Sequence, residues 1–285
     1  MTRAAATHAG WTARLAQAGV PPVEALLDAP PHALRGAETL HKPGLRGRER
    51  WRWKLAADPD GATVYVKRYR ATPWRDQLDR ILRQQARHSR AWWEFRQSEL
   101  LHDAHVSVTR AVAFAEEMRG ALERRSIVLF ESAPGDAFDR AWSAALRRDE
   151  PVTRGRARFD IARRLGRFVA AFHQTGICHR DLYLCHVFVV LDAAAQCPPQ
   201  FCLIDLARTH RPRFWRLRWV LKDLSQLDAS ARQIGATRAD RLRGLLAYLG
   251  LEPGAPRARD WSRRVVARSD RIIRRVARRA AASRA

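Results

Sequence analysis

Alternating apolar and polar positions in the first quarter of the chain predict a β-hairpin. Residues 49–56 are rich in Trp and alternate with polar residues, and residues 63–69 alternate again around Val64 and Val66. A period of two residues is typical of a strand with one buried face. Between the two stretches, Asp60-Gly61 is a pair that favours a tight turn. The pattern places Lys67 on the second strand of this hairpin.

Longer stretches follow the period of a helix. Helical spacing covers residues 73–102 and 156–173, where Phe95 and Leu101, and then Ile161 and Phe168, recur along one side. Short apolar strands are predicted at residues 108–114, 126–130, 187–191 and 201–204, and further helices at residues 218–234, 238–249 and 257–279. This order of elements predicts an α+β fold with two lobes and a cleft between them.

The same order predicts where the chain divides. Residues 1–36, interrupted by Pro21-Pro22 and Pro30-Pro31, are expected to form a helical or loosely ordered N-terminal extension. We expect a small β-rich N-lobe at residues 37–132 and a mostly helical C-lobe at residues 133–256, followed by a basic amphipathic helix at residues 257–285.

Charge changes the picture more than overall composition does. The 285 residues are 46% hydrophobic, which is ordinary for a folded protein, but 53 Lys and Arg against 29 Asp and Glu give a formal net charge of +24. Such a surface attracts polyanions, whether nucleic acid, anionic lipid or phosphorylated sugars. The N-terminus carries no secretory pattern and no apolar run reaches the roughly 20 residues that span a bilayer, so we expect a cytoplasmic protein.

The four cysteines do not form a metal or disulfide pattern. They are Cys178, Cys185, Cys197 and Cys202, and no CxxC pair is among them. This spacing predicts neither a disulfide framework nor a zinc ribbon. We expect buried thiols.

Two short segments carry the chemistry. One contains His179-Arg180-Asp181, and the other places Asp205 at the end of an apolar strand, after Ile204. Together they resemble the catalytic loops of a protein-kinase-like phosphotransferase. In such enzymes the first aspartate orients the attacking hydroxyl and accepts its proton, and the second holds the magnesium that bridges the nucleotide phosphates. We therefore predict Asp181, with Arg180 beside it, as catalytic and Asp205 as a metal ligand.

The nucleotide side of such a site needs a lysine and a partner for it. Lys67 would reach the α and β phosphates, and Glu94 on the next helix would pair with its ammonium, with Glu99 as an alternative partner. Before them, Gly44 and Gly47 in a basic loop would let backbone amides approach the phosphates, although the loop does not match G-x-G-x-x-G. The other interpretation is a solvated strand lysine and an ordinary basic loop.

The catalytic loop departs from protein kinases at His186, where those enzymes have an asparagine that binds a second magnesium. Magnesium prefers oxygen ligands. A histidine at this position has three open roles: a donor to phosphate, a partner of a metal-bound water, or a direct ligand of the metal.

The whole segment HRDLYLCHVF, followed by Ile204-Asp205-Leu206 and then by residues 218–227, resembles the lipopolysaccharide core kinases, the heptose and Kdo kinase family. A histidine at the position of His186 is part of that resemblance, which covers about residues 40–249. It implies a two-lobed protein-kinase-like fold and ATP- and Mg²⁺-dependent phosphorylation of an inner-core sugar or similar glycolipid at the cytoplasmic face of the inner membrane. It also implies that Asp223 braces the catalytic loop.

The C-terminal helix bears on the membrane. From Arg257 onward it carries 11 arginines against Asp260 and Asp270, with Trp261 and Val265 on one apolar side. This composition is typical of a helix lying on an anionic membrane surface. A solvated helix packed on the large lobe is the alternative.

Other functions remain open at this point. A soluble small-molecule or protein kinase, or a kinase-like protein without activity, would share the same motifs. The charge and ten tryptophans suggest a nucleic-acid-binding protein, but no recognisable module supports it and we do not expect nucleic acid as a partner. His173, His179, Asp181, His186 and Asp205 could form a metallohydrolase centre, although no HxH, HxxxH or HExxH pair is present.

Overall fold

The chain divides into two compact units, one rich in strands and one mostly helical. The computed structural model describes residues 1–40, 47–55, 61–192, 194 and 196–282. The first unit is Met1–Ser132 with Asp205–Ala207, and the second is Ala133–Ile204 with Arg208–Ala285. The α+β class predicted from the sequence is confirmed.

One antiparallel sheet of six strands dominates the first unit. Its strands are β1 (Thr2–Thr7), β2 (Ala37–Thr39), β3 (Arg48–Lys54), β4 (Thr63–Arg70), β5 (Ala111–Arg119) and β6 (Leu122–Glu131). They lie in the order β1-β5-β6-β4-β3-β2. The predicted hairpin is the pair β3–β4, in which Arg50 lies opposite Lys67.

The two faces of the hairpin differ sharply. Trp51 and Trp53 of β3 and Val66 of β4 point into the apolar core and are 5% exposed or less. Because side chains alternate along a strand, Arg50 and Lys67 lie together on the other face. This alternation is what places a pair of cations side by side.

The α-helices in the described part of the first unit are α1 (Ala9–Gln17), α2 (Trp74–Arg83) and α3 (Arg90–Asp103). The single helical stretch predicted at residues 73–102 is therefore wrong in its middle. The chain leaves the helix at Gln84, and α3 starts anew where the Ser89 hydroxyl accepts a hydrogen bond from the Trp92 amide. A side-chain cap of this kind fixes a helix start that periodicity alone does not reveal.

The first residues also differ from the prediction of a helical or loosely ordered extension. Strand β1 pairs with β5 along its whole length, and Trp11 and Leu15 of α1 are buried in the core under the sheet. Small Ala side chains in β1 give little alternating signal. Their pairing depends on a strand more than 100 residues away in the chain.

The second unit is built from helices around a small three-stranded sheet. Its elements are β7 (Asp136–Ala137), α4 (Phe138–Arg147), α5 (Gly155–Gln174), β8 (Val187–Val190), β9 (Gln200–Leu203), α6 (Arg216–Gln233), α7 (Arg238–Leu249) and α8 (Pro256–Ala282). Helices α5 and α7 approach closely at Gly166, where an added Cβ would lie 2.1 Å from the Gly244 carbonyl oxygen. Only a glycine permits that contact.

Helix α8, the predicted basic helix, packs its first half within this unit. Val265 and Ser269 are buried, and Asp270 forms an ion pair with Arg232 of α6 at 2.6 Å. Residues 274–282 are exposed. The apolar side of α8 is therefore largely in contact with protein, as in the alternative interpretation of this helix.

None of the helices in the described part of the chain combines the length and the apolar content needed to cross a bilayer. The cysteine prediction is half correct: Cys178 and Cys202 are buried, whereas Cys185 and Cys197 are exposed.

Candidate phosphotransferase site

Lys67 lies at the centre of a charged network in the first unit. Its Nζ is 2.6 Å from Oε2 of Glu94 and 2.9 Å from Oδ1 of Asp205. The Glu94 side chain is fully buried and that of Lys67 is 15% exposed. The sequence predicted the contact between Lys67 and Glu94, and the structure contains it. Their role toward a nucleotide stays a prediction.

A second donor holds Glu94 in place. The Tyr69 hydroxyl, two residues along β4 from Lys67, donates to Oε1 of Glu94 at 2.5 Å. Burial, together with the nearby carboxylate, raises the pKa of the Tyr69 phenol well above its ordinary value, so the hydroxyl keeps its proton and remains a donor. Glu99, the alternative partner, instead pairs with Arg96 on the surface of α3.

Asp205 follows β9 and belongs to the first unit by its contacts. Its backbone is left-handed, with φ of 60°, a conformation that costs energy for a residue other than glycine. Such strain is typical of functional positions. Oδ2 of Asp205 lies 3.6 Å from the guanidinium of Arg50, so two cations share this carboxylate.

Arg50 was not among the residues predicted from the sequence. Its signal was present, because Arg50 alternates with the buried Trp51 and Trp53, but its place beside Lys67 depends on the register of β3 and β4. A shift of one residue would turn Arg50 into the core. The register is a property of the folded hairpin.

Of the two glycines predicted to approach phosphate, Gly44 lies outside the described residues. Gly47 has a φ of +69°, and an added Cβ would lie 2.1 Å from the Arg70 carbonyl oxygen. The Gly47 carbonyl also accepts a hydrogen bond from the Arg70 amide at 2.7 Å. Gly47 is therefore required by the backbone of β4, and its phosphate role stays a prediction.

In the second unit, a buried carboxylate fixes the backbone of the His179–Asp181 loop. The Asp223 carboxylate of α6 accepts hydrogen bonds from the backbone amides of His179, at 2.7 Å, and Arg180, at 2.8 Å. Nε2 of His173 on α5 lies 3.2 Å from the same carboxylate. Asp223 is fully buried. The bracing role implied by the family resemblance is thus matched by geometry.

Arg180 is buried and adopts a left-handed backbone with φ of 66°. Its guanidinium lies 5.3 Å from the ring centroid of Trp219 and 3.4 Å from the Arg208 carbonyl oxygen. These contacts tie the loop to α6 and to the chain after Asp205. A direct catalytic role of Arg180 stays a prediction.

Asp181 is half-buried in this loop and contacts Gln226 of α6. Nε2 of Gln226 lies 3.5 Å from Oδ1 of Asp181, and Oε1 of Gln226 lies 3.4 Å from Nζ of Lys222. Lys222 also donates to the Arg180 carbonyl. Burial, followed by the positive charges of Arg208 and Arg180, lowers the pKa of Lys222 to about 8.

The side chain of His186 is held by the backbone of Asp181. Its Nδ1 lies 2.7 Å from the Asp181 carbonyl oxygen, which can only accept, so Nδ1 carries the proton in the neutral ring. Its ring stacks on His179, with centroids 6.0 Å apart. The lone pair of the neutral ring is therefore on Nε2.

The side chain of Asp205 suits a magnesium ion better than the side chain of His186 does. Asp205 offers carboxylate oxygens held by cations that a metal could replace, whereas His186 offers an imidazole nitrogen, a ligand that magnesium accepts poorly. The residues thus favour Asp205 as a ligand and His186 as a partner of water or phosphate.

A second group of donor atoms, His173, Cys178 and Asp223, lies within 4.8 Å of one another and is buried. Burial raises the pKa of the Cys178 thiol to about 12, so the thiol stays protonated. The Asp223 oxygens already accept two backbone amides, and His173 also contacts the Tyr248 hydroxyl at 3.0 Å. The group therefore serves as a hydrogen-bonded anchor.

The second unit also contains a cavity of about 880 Å³ among α5, α6, α7 and α8. Leu165, Leu227, Leu245 and Val266 are among the apolar residues that line it. Arg259 and Arg263 of α8 also line it, and both are exposed. The sequence did not predict this cavity, because its walls come from separate helices that include α4 as well as α5 to α8.

Comparison with known proteins adds independent findings. The sequence profile of the lipopolysaccharide kinase (Kdo/WaaP) family matches residues 46–248. The lipopolysaccharide core heptose(I) kinase WaaP of Pseudomonas aeruginosa is 30% identical over 199 residues, 68% of this chain and 72% of that protein. A WaaP from Escherichia coli is 27% identical over 209 residues, 72% of this chain and 75% of that protein.

A solved structure of WaaP in complex with acyl carrier protein is similar to this chain with a TM-score of 0.64 and 25% identity. The similarity covers 95% of this chain and 98% of that one. The two-lobed, protein-kinase-like fold predicted from the sequence is confirmed. The profile match spans Lys67, Glu94, Asp181, His186 and Asp205, and the chain belongs to the lipopolysaccharide kinase (Kdo/WaaP) family.

Proposed function

We propose that this chain transfers the γ-phosphoryl group of ATP to a hydroxyl of a lipopolysaccharide inner-core sugar, with heptose as the first candidate, Kdo as the second, and a similar glycolipid as a third. The observation that carries the proposal is the Lys67–Glu94–Asp205 network inside the region matched by the family profile. The relatives named above are heptose(I) kinases, which supports heptose over Kdo.

On the nucleotide side, Lys67 binds phosphate oxygens and Glu94 holds its ammonium in place. Phosphoryl transfer needs mainly positioning and charge neutralisation, which a buried lysine–glutamate pair supplies. Gly44 and Gly47 belong to the segment proposed to cover the phosphates. The proposed functional division is an N-lobe at residues 37–132, a C-lobe at residues 133–256, and flanking segments at residues 1–36 and 257–285.

Asp205 would hold Mg²⁺, with His186 contacting a water of the metal or a phosphate oxygen. A bound magnesium supplies neutralisation of the negative charge on the phosphates. On the acceptor side, Asp181 orients the sugar hydroxyl and accepts its proton late in the transfer. Arg180 holds the loop through its contacts with Trp219 and the Arg208 carbonyl.

Labelled-phosphate transfer from ATP to extracted lipopolysaccharide tests the proposal. Asp181→Asn removes charge and basicity at constant size, so turnover should fall by on the order of 10²- to 10⁴-fold with ATP affinity nearly unchanged. Asp160→Asn, a surface residue of α5 paired with Arg164, is the matched control. Turnover of Asp181→Asn above about a third of wild type would contradict the role of Asp181. Transfer only to a water-soluble acceptor would point to a small-molecule or protein kinase.

Calorimetry tests the metal ligand without reference to turnover. Asp205→Ala should remove the magnesium dependence of ATP binding, because the bridging metal loses its carboxylate. Asp79→Ala, paired with Arg83 on α2, is the control. Magnesium-dependent binding that persists in a folded Asp205→Ala protein would reject the assignment.

An acyl carrier protein is a proposed partner, because the solved structure of the related WaaP contains one. The 880 Å³ apolar cavity is large enough for an acyl chain, and the exposed Arg259 and Arg263 beside it suit an acidic partner. Co-purification and mass spectrometry of the intact complex would test this. Leu227→Trp fills the cavity, so it should weaken the complex with acyl carrier protein. The control Leu217→Trp, at a residue that is 46% exposed, should leave the complex unchanged.

We further propose a cytoplasmic protein bound peripherally to the inner membrane, with the arginines of α8 attracted to anionic lipid. The exposed residues 274–282 include four of these arginines. Vesicle sedimentation at two salt concentrations should show weaker binding after truncation at residue 273. If the truncated protein binds vesicles as well as the full chain does, at both salt concentrations, the arginines of α8 do not contribute to membrane binding.

A further inference from the structure

Helix α2 of the first unit is inverted relative to an ordinary amphipathic helix. Its buried side is polar: Gln77 is 8% and Arg80 1% exposed. Gln77 donates to the Glu123 carbonyl at 2.6 Å and accepts from the Glu123 amide at 3.2 Å. Arg80 donates to the carbonyl oxygens of Gln85 at 2.7 Å and His88 at 2.5 Å. These bonds hold the polar side of α2 against the unit.

The opposite side of α2 is apolar and faces solvent. Trp74 is 69% exposed, Leu78 46% and Leu82 68%. Their spacing of four residues places them in one stripe along the helix. Leu122 lies near this stripe, because the carbonyl oxygens of its two chain neighbours, Ala121 and Glu123, accept hydrogen bonds from side chains of α2. It is 53% exposed. A large Trp and three Leu side chains in water are costly unless a partner covers them.

Charges around this stripe are arginines, and the carboxylates near it are neutralised. The Arg75 guanidinium lies 5.5 Å from the Trp74 ring centroid and is exposed. Asp79 pairs with Arg83, and Asp76 pairs with Arg48 and Arg90. The surface around the apolar stripe therefore offers positive charge to a partner.

We propose that α2 lies in the interface of an anionic bilayer, with Trp74, Leu78 and Leu82 inserted among the lipid chains and Arg75 at the headgroups. An exposed Trp beside Arg on a short amphipathic helix is the chemistry of an interfacial anchor. The stripe is too small for a stable protein interface: its three side chains bury on the order of 400 Å², below the roughly 800 Å² per partner of such complexes.

This anchor goes beyond the proposed function and complements it. Val265 on the apolar side of α8 is buried, and the exposed end of the helix carries four arginines and one large apolar side chain, Val276. Helix α8 therefore offers mainly charge, whereas α2 offers charge and an apolar stripe. Charge attraction weakens with salt and apolar insertion does not. The two helices therefore predict separable parts of membrane binding.

Sedimentation with vesicles of phosphatidylcholine and phosphatidylglycerol tests the inference. The double variant Trp74→Ser/Leu82→Ser should lose about tenfold or more in partition coefficient, including at high salt, while ATP binding is unchanged. The matched control is Leu146→Ser/Leu242→Ser, at positions 39% and 40% exposed on α4 and α7. Equal loss in both double variants, or no loss in the first, overturns the proposal. Because ATP binding is measured separately, failure of the kinase proposal leaves this result intact.

A second measurement does not depend on how the double variant folds. Trp74→Phe keeps the apolar surface, so it should retain vesicle binding but lose the part of the wild-type fluorescence that brominated lipids quench. Identical quenching in wild type and Trp74→Phe overturns insertion. Sedimentation velocity without lipid is the third measurement. If wild type is a dimer and the double variant is a monomer, the stripe is a contact between two copies of the chain and the proposal is overturned.

Discussion

Glu94 in the first unit and Asp223 in the second are both fully buried carboxylates, yet they are satisfied in opposite ways. Glu94 accepts hydrogen bonds from two side chains, Lys67 and Tyr69. Asp223 accepts from two backbone amides, those of His179 and Arg180, with His173 as its side-chain neighbour.

The difference separates a site that can rearrange from one that is fixed. Side chains around Glu94 can exchange partners, because Lys67 already shares its charge between Glu94 and Asp205. The proposed nucleotide and metal would use this freedom. The backbone held by Asp223 cannot move without breaking the loop. We therefore expect changes at Asp223 to act on stability and changes at Glu94 to act on the nucleotide.

The largest expected effect is at Asp223. Asp223→Ala leaves two buried backbone amides without their acceptor, at roughly 1–3 kcal/mol each, so the free energy of unfolding should fall by roughly 2–6 kcal/mol. Urea denaturation of wild type and variant measures it. Asp260→Ala on the surface of α8 should change it by less than about 0.5 kcal/mol. Similar changes in the free energy of unfolding for Asp223→Ala and Asp260→Ala would contradict the role of Asp223 in fixing the loop.

At Glu94 the effect should appear in catalysis. Glu94→Gln keeps size and a hydrogen-bonding oxygen but removes the charge that holds Lys67, so kcat/KM for ATP should fall by about 10- to 100-fold. Steady-state kinetics with varied ATP measures it, with Glu99→Gln on the same helix as the control. A loss of stability as large as that of Asp223→Ala, with normal kinetics, would reverse the assignment.

Lys222 adds a pH dependence to the fixed loop. Its pKa of about 8 lies below the ordinary 10.5, so the ammonium that contacts the Arg180 carbonyl is present below pH 8 and is lost as pH rises through that value. Activity should decline severalfold above pH 8 in wild type. Lys222→Met should lack this decline, and Lys222→Arg should keep its charge throughout. A decline that persists unchanged in Lys222→Met assigns the pKa to another group.

The same shift has a stability consequence with a defined sign. Because charging Lys222 is less favourable in the folded than in the unfolded chain, wild type should gain stability as pH rises from about 8 to 10.5. Lys222→Met should show no such gain. Denaturation at several pH values separates this effect from the change in activity.

Tyr69 is expected to give the smallest effect. Tyr69→Phe removes the donor to Oε1 of the buried Glu94 while Lys67 still binds Oε2, so the free energy of unfolding should fall by about 1–3 kcal/mol. Kinetics should change less than in Glu94→Gln. A larger kinetic effect would mean that Tyr69, rather than Lys67, positions Glu94.

Much of the fold followed from local patterns. Helix α7 lies at the predicted residues 238–249, and α5, α6 and the hairpin β8–β9 lie within two residues of their predictions. Regular spacing fixes such elements because each buries its own apolar side. The break between α2 and α3 and the pairing of β1 escaped prediction, since a side-chain cap and a distant strand determine them.

The candidate site shows the same division. The residue types and order of Lys67, Glu94, Asp181 and Asp205 were legible in the sequence, because they follow the motif order of protein-kinase-like enzymes; their roles in phosphoryl transfer stay predictions. Arg50 beside Asp205 and Gln226 beside Asp181 were not, because neither belongs to a motif.

The sequence by itself determined the chemistry, the fold class and most of the helices and strands, because these depend on residue types and on spacing within short segments. Apart from the predicted contact between Lys67 and Glu94, only the tertiary structure decided which groups meet. Register placed Arg50 with Lys67, the packing of α6 placed Asp223 against the His179–Asp181 loop, and Arg80 turned the polar side of α2 inward. Periodicity reports that a helix has two unlike sides, but the neighbours of that helix decide which side is buried.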